Sequence, residues 1–250
     1  MAVLFDDESS EFYTFLTAPA TAEPITMACW FYIDETPDND YCIMQLQDDG
    51  TDSNYFRMNL GNDAAPETWP VSCFSSGLNG SSTDSDRANS TTQASQNVWH
   101  HACAIWAAVD DRRAFIDGGS KGTQTDTLDQ PANIDSIDIG REGDSSAGDY
   151  FSGGLFWPAL WDVALTDAEV AILASGVPPW KVRPESLQFF VPLYSAGTPR
   201  DWISGTAATT TGGSPATTEG PCVQLDSGII VPYNLAAGSV TITIPTGPWR

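Results

Sequence analysis

Positive charge is what this sequence has least of. Its 250 residues carry 10 Lys and Arg against 33 Asp and Glu, a formal net charge of −23. Only two of the cations are lysines, Lys121 and Lys181. A phosphate-binding protein needs a basic stripe, so nucleic acid is excluded as a partner, and an anionic membrane surface with it. A folded chain of this mass exposes about 11,000 Å², which leaves one uncompensated negative charge per roughly 470 Å², about 20 Å apart. That spacing exceeds the ~8 Å Debye length of physiological saline, so self-repulsion is tolerable there and grows at low salt. The excess fits a soluble, non-adhesive surface, and equally adaptation to sea water or divalent cations held by some of the carboxylates.

Other absences narrow the field further. The five cysteines (Cys29, Cys42, Cys73, Cys103 and Cys222) show no CxxC spacing, and an odd number cannot pair completely. Cys29 in ITMACWFYI and Cys103 in HACAIWAAV read as small buried hydrophobes of a reduced compartment. No apolar run approaches a membrane span. The opening MAVLFDDESSEFYTF has neither a basic region nor a long apolar run, so no signal peptide is expected there. No period of 20–50 residues is present, which sets repeat architectures aside.

What is there points to strands. Hydrophobic residues make up 41% and aromatics 11%, ample for a core. Gly and Pro recur at roughly eight- to twelve-residue intervals, the rhythm of an all-β sandwich. Ile25 to Ile33 is the clearest strand: Ile25, Met27, Cys29, Phe31 and Ile33 line one face, Thr26, Ala28, Trp30 and Tyr32 the other. Further strands are expected at Tyr41–Gln47, Tyr55–Leu60, Val71–Ser75, Trp99–Val109, Ala114–Asp117, Ile134–Gly140 and Leu155–Trp161. LNGSSTDSDRANSTTQ is too polar for a core element and is expected as a loop. One short helix is expected where Thr166 caps, Glu169 completes a capping box, and Gly176 then Pro178 end it. Beyond Val177 the character shifts. PPWKVRPES reads as a linker, Leu187–Leu193 as a strand, SGTAATTTGGSPATTEGP as a low-complexity loop, and Cys222–Val231 and Ser239–Pro245 as final strands.

Three passages in this order resemble the laminin-G-like, concanavalin A-type jelly-roll family. The first is the strand Ile25 to Phe31 with its Trp30. The second is Val98-Trp99-His100-His101-Ala102-Cys103-Ala104 followed by Ala114 to Gly118, similar to that family's central hairpin. The third is Ile137 to Gly140, Phe151 to Leu155, then Ala164 to Val170, similar to its closing strands and short helix. The resemblance spans residues 3–177 and implies an all-β, two-sheet antiparallel jelly-roll sandwich. Residues 178–250 are expected to form a C-terminal extension of strands and loop, a docking arm like the tails after such domains in phage-encoded structural proteins.

The same fold hosts β-glucanases, whose strand Glu-x-Asp-x-(x)-Glu places two carboxylates about 5–5.5 Å apart. Asp138 in Ile137-Asp138-Ile139 has no such partners two and four residues away, so no enzyme is expected. His100 and His101 have neither a Ser-x-Gly elbow nor an HExxH context, and strand parity sends one inward and one outward in structural roles. No motif requires a cofactor. Related sandwiches hold Ca²⁺ in carboxylate loops, and the loops that could do so here are Asp34/Asp38/Asp40, Asp48/Asp49/Asp52 and Asp144/Asp149. Trp30, Tyr32, Trp69 and Trp106 are candidates for stacking on sugar rings, and Trp180, Trp202 and Trp249 for docking a partner protein.

Two functional classes fit these observations. One is a non-enzymatic virion surface protein, a capsid decoration or fibre-associated component made in the host cytoplasm. Its partners would be capsid or other virion proteins, or further copies of itself, and it would also contact host glycans. The other is a carbohydrate-binding lectin module of a cellular organism, calcium-dependent and extracellular or at the cell surface, recognising polysaccharide.

Overall fold

The alternation in Ile25–Tyr32 is realised as two different environments. Ile25, Met27, Cys29 and Phe31 enter a core between two sheets, while Ala28 and Trp30 belong to a second apolar layer outside the first sheet. The computed structural model describes residues 1–35, 40–61, 69–77, 86–143, 148–211, 213, 215–221, 223–224 and 230–231. In chain order its strands are β1 (Ala2–Phe5), β2 (Phe12–Phe15), β3 (Ile25–Tyr32), β4 (Tyr41–Gln47), β5 (Tyr55–Leu60) and β6 (Pro70–Ser76). There follow β7 (Ala88–Gln93), β8 (Trp99–Ala108), β9 (Asp111–Ile116), β10 (Gly119–Gln124), β11 (Ser136–Ile139) and β12 (Gly153–Trp161). Helix α1 (Asp167–Ala174) precedes β13 (Leu187–Phe190), β14 (Thr209–Thr211), β15 (Ala216–Thr218) and a small pair, β16 (Val223–Gln224) with β17 (Ile230–Val231).

The first sheet runs β10-β9-β8-β3-β12-β1-β15, with β13 also on β12, and the second runs β14-β2-β11-β4-β5-β6-β7. All pairings are antiparallel, and the architecture is a jelly-roll sandwich. On β8, His100, Ala102, Ala104 and Trp106 face inward and Trp99, His101, Cys103 and Ile105 outward. Along one side the sheets come close enough that a Cβ on Gly122 of β10 would lie 1.6 Å from the Asn89 carbonyl oxygen of β7. Only glycine fits there. Asp117 (φ 54) and Gly118 (φ 73) make the tight turn between β9 and β10 that the Asp-Gly pair implies.

Helix α1 starts as its sequence dictates. Thr166 accepts from the Glu169 amide at 3.3 Å and the Glu169 carboxylate accepts from the Thr166 amide at 2.8 Å, a reciprocal capping box. Val170 and Leu173 press onto the outer face of the first sheet with Phe115, Trp161 and Leu187. Val163 and Leu165 are held there by Thr26, whose hydroxyl donates to Val163 O (2.7 Å) and accepts from Leu165 N (3.1 Å).

Several segments differ from their sequence reading. Residues 88–93, expected as loop, form the edge strand β7. Ala88 is buried in the core and positions 91–93 are exposed, so an edge strand needs few apolar residues. The expected linker PPWKVRPES instead forms two 3-10 turns, Pro179–Lys181 and Pro184–Ser186, that cover the outer apolar layer. Val182 is buried there and its carbonyl accepts from Trp161 Nε1 at 2.8 Å. The Thr-rich stretch expected as loop supplies β14, paired with β2, and β15, paired with β1. Both sheets therefore take strands from beyond Val177. The strand expected at Ser239–Pro245 lies outside the described residues.

Candidate functional site

The aromatic site is built outward from β12. Register against β3 slips between Phe156 and Ala159, and Trp157 takes φ 57 before Pro158. This bulge puts two consecutive aromatics on the same outer face, with Phe156 and Trp157 stacked at 4.7 Å. Trp180, from the first 3-10 turn, meets Trp157 edge-on at 5.5 Å and Phe190 of β13 at 5.3 Å. Trp202 then packs edge-on against Phe190 at 5.5 Å, with Trp180 and Tyr194 each 6.3 Å away. The Tyr194 hydroxyl accepts from Trp157 Nε1 at 3.2 Å. Exposure climbs along this row from 1% at Trp157 to 38% at Tyr194 and 58% at Trp202.

A turn pinned by Asp201 presents Trp202. The Asp201 carboxylate is buried and accepts from the amides of Phe190 (3.0 Å), Ile203 (3.0 Å) and Ser204 (2.9 Å) and from the Ser204 hydroxyl. Trp202 N returns a bond to Phe190 O at 2.8 Å. Leu193, at φ 50 and buried, occupies a left-handed conformation costly for a leucine, and the chain turns outward there into Tyr194. Between these segments lies a pocket of about 190 Å³ lined by aromatic Tyr194 and Trp202, polar Ser195 and Thr198, and Arg200. Exposed ring faces beside a few polar groups suit a ligand with alternating C–H and hydroxyl surfaces.

The other sequence candidates are placed elsewhere. Trp106 is corrected: it is fully buried between the sheets, edge-on to Phe56 at 5.6 Å, and no ligand can stack on it. Its parity with Ala102 and Ala104 on β8 carried that information. Trp30 and Tyr32 are half-buried outside the first sheet, beside His101 (5.3 Å) and Trp99 (5.6 Å) respectively. Trp69 packs half-buried against the inter-sheet core. Trp249 lies outside the described residues.

The acidic loops are described only in part. Among the described residues no three His, Cys, Asp or Glu are gathered to hold a metal. Asp48, Asp49 and Asp52 sit in the turn between β4 and β5, where the Asp49 amide donates to Asp135 at 2.9 Å. Asp144 and Asp38 lie outside the described residues. Asp40 is ion-paired with Arg87. Asp149 sits with Glu142 against Arg57, at 3.6 Å from that guanidinium. Burial first, then the Glu142 charge, raise the Asp149 carboxyl to about 7 in spite of Arg57.

The histidines divide as parity requires, and a constellation unseen in the sequence joins one of them. Ser95 Oγ lies 2.9 Å from His100 Nε2, and His100 Nδ1 lies 2.8 Å from Asp117 Oδ2. The Ser95 amide also points at Nε2, at 3.1 Å. An Nε2 already accepting an amide proton is poorly disposed to take one from a hydroxyl, so the three residues act as a brace between loop and hairpin. Burial opposes ionisation of Asp117, but its bonds from His100 and the His101 amide (2.9 Å) outweigh it and hold the carboxyl below its ordinary range. Burial pushes His101 down to about 4 against the pull of Asp117, keeping it neutral.

The family model described as the concanavalin A-like lectin/glucanases superfamily matches residues 7–171. Among solved structures, a Bacteroides ovatus protein provisionally assigned to carbohydrate binding superposes with a TM-score of 0.58 at 18% identity, over 86% of this chain. This chain covers 61% of that protein, about three fifths of its length. The heptameric SAP-like pentraxin of Limulus polyphemus gives 0.57 at 17% identity, over 86% of this chain and 93% of its own. Tailspike protein 2 of an Escherichia coli O157:H7 bacteriophage gives 0.55 at 14% identity, over 77% and 26%. A search of curated proteins finds no match. The aromatic pocket, at residues 192–202, lies beyond the matched 7–171.

Proposed function

Because this chain belongs to the concanavalin A-like lectin/glucanase superfamily, we propose that it is a lectin-like, carbohydrate-binding sandwich whose sugar site is the pocket between Tyr194 and Trp202. The observation that carries this reading is the exposure of those two rings at the end of a row of packed aromatics. Rings held by edge-on neighbours lose little entropy on binding, and their faces match the C–H faces of pyranoses. Trp202, grouped with the protein-docking residues by sequence, is thereby reassigned to sugar.

Binding without cleavage is part of the proposal. Asp138, the acid of β11, has one carboxylate oxygen bonded by both Arg141 Nε (2.6 Å) and Gln47 (3.3 Å), which favours a structural role for it. The setting we favour is a virion surface protein made in a host cytoplasm, decorating the particle and touching host glycans. Four described cysteines are free and buried, as suits folding in a reducing compartment. A glycan array read with wild-type protein and Trp202→Ala, with and without EDTA, tests the sugar reading. Signals lost in the variant and indifferent to EDTA are expected, and uniform blanks with the wild type would overturn it. Mass spectrometry of purified particles tests the setting, which is wrong if the chain is absent from them.

A further inference from the structure

Cations are scarce here, and nearly all of them are tied down. Arg57, Arg87, Arg113, Lys121, Arg141 and Arg183 each pair with a carboxylate. Arg112 is fully buried and donates to three backbone carbonyls, and Lys181 is engaged as well. Arg200 differs: it is exposed, lines the aromatic pocket, and among the described residues has no carboxylate partner. One of its terminal nitrogens, Nη1, donates to Gly205 O at 3.0 Å, which steadies the side chain and leaves the rest of the fork free. The neighbouring Asp201 does not occupy it, since that carboxylate is turned into the 201–204 turn and filled by its amides.

We propose, building on the sugar reading above, that the pocket selects sugars bearing a carboxylate, with Arg200 receiving the carboxylate while Trp202 and Tyr194 take the ring. A guanidinium fork matches a carboxylate in two parallel hydrogen bonds, which a neutral hydroxyl pair cannot reproduce. At about 190 Å³ the pocket is smaller than drug-sized cavities of ~300–1,000 Å³ and suits one terminal or protruding residue of a chain. The net charge of −23 opposes an acidic polymer at long range, yet beyond ~8 Å that repulsion is screened in saline while the contact pair is not. Selection therefore resides at Arg200.

The test is tryptophan-fluorescence titration of the full chain at physiological salt with an oligogalacturonide, its methyl ester and a sulfated neutral oligosaccharide. The acid is expected to bind about tenfold more tightly than the ester, as befits a partly exposed charge-assisted pair. Arg200→Gln should erase that preference, bringing acid and ester to one affinity, and Arg200→Lys should restore part of it. Equal affinity for acid and ester, a preference that survives Arg200→Gln, or a sulfated ligand binding as tightly as the acid would each overturn the carboxylate proposal and leave the sugar reading standing. Failure of all three ligands to bind the wild type would overturn the carboxylate proposal, and the sugar reading would then stand or fall with the glycan array.

Discussion

Removing the Asp201 carboxylate should separate the scaffold of the aromatic site from its contact surface. In Asp201→Ala three amides lose a charged acceptor. The amides of exposed Ile203 and Ser204 can turn to water, but the buried amide of Phe190 keeps only its place in the sheet edge. A buried orphaned donor costs about 1–3 kcal/mol, and lost bonds to a charged group about 1.5–3 kcal/mol each before water compensates. A total of about 3 kcal/mol follows, or about 6–12 °C in Tm at ~2–4 °C per kcal/mol for a chain of this size. Urea unfolding at unchanged m-value is the assay, paired with sugar titration. Asp201→Asn should fall between, since an amide keeps one acceptor oxygen. Trp202→Ala should abolish binding at a cost of at most about 1.5 kcal/mol, because that ring is mostly in solvent. An Asp201→Ala protein with unchanged Tm and full affinity would refute the assignment of this turn as the scaffold.

Other consequences reach the rest of the molecule. His101, near 4 when folded and 6.5 when unfolded, contributes stability that is complete above pH 6.5 and lost toward pH 4, about 3 kcal/mol in all. Asp149, raised to about 7, acts oppositely: its contribution is lost as pH rises from its unfolded value through 7. The two oppose each other between pH 4 and 6.5, so the net decline in Tm should be shallow and finish once Asp149 is ionised, and Asp149→Asn should remove it. An undiminished decline in the variant would contradict this. Burial raises the Cys29 thiol to about 12 and those of Cys73, Cys42 and Cys103 above their usual range, so iodoacetamide at pH 8 should leave these four untouched until urea unfolds the chain. Thr166→Ala removes the helix cap and should cost about 1 kcal/mol in urea unfolding.

How much of this was legible depended on how far each element is buried. β3 and β8 could be read because each borders apolar layers on both faces and carries large residues with period two. The helix was readable from its reciprocal cap. β7, β10, β14 and β15 escaped because they lie at or near sheet edges and are built from Gly, Ser, Thr and Asn, whose pairing leaves no hydrophobic period. At the site, composition singled out Trp180 and Trp202 but not their environment. Their convergence depends on a bulge at Trp157, for which Pro158 inside a strand was the available signal, and on a turn organised by one buried carboxylate. The Ser95–His100–Asp117 brace joins three separate segments, and no spacing rule brings them together.

The location of the sugar site can be read directly from the indole N–H resonances of the tryptophans in a ¹H–¹⁵N spectrum. Adding a bound glycan should shift Trp202, and also Trp157, whose indole nitrogen donates to the Tyr194 hydroxyl. Trp106 and Trp161, fully buried, should stay in place. Shifts at Trp30 and Trp99 with Trp202 unmoved would contradict the proposed site and return it to the outer face beside β3.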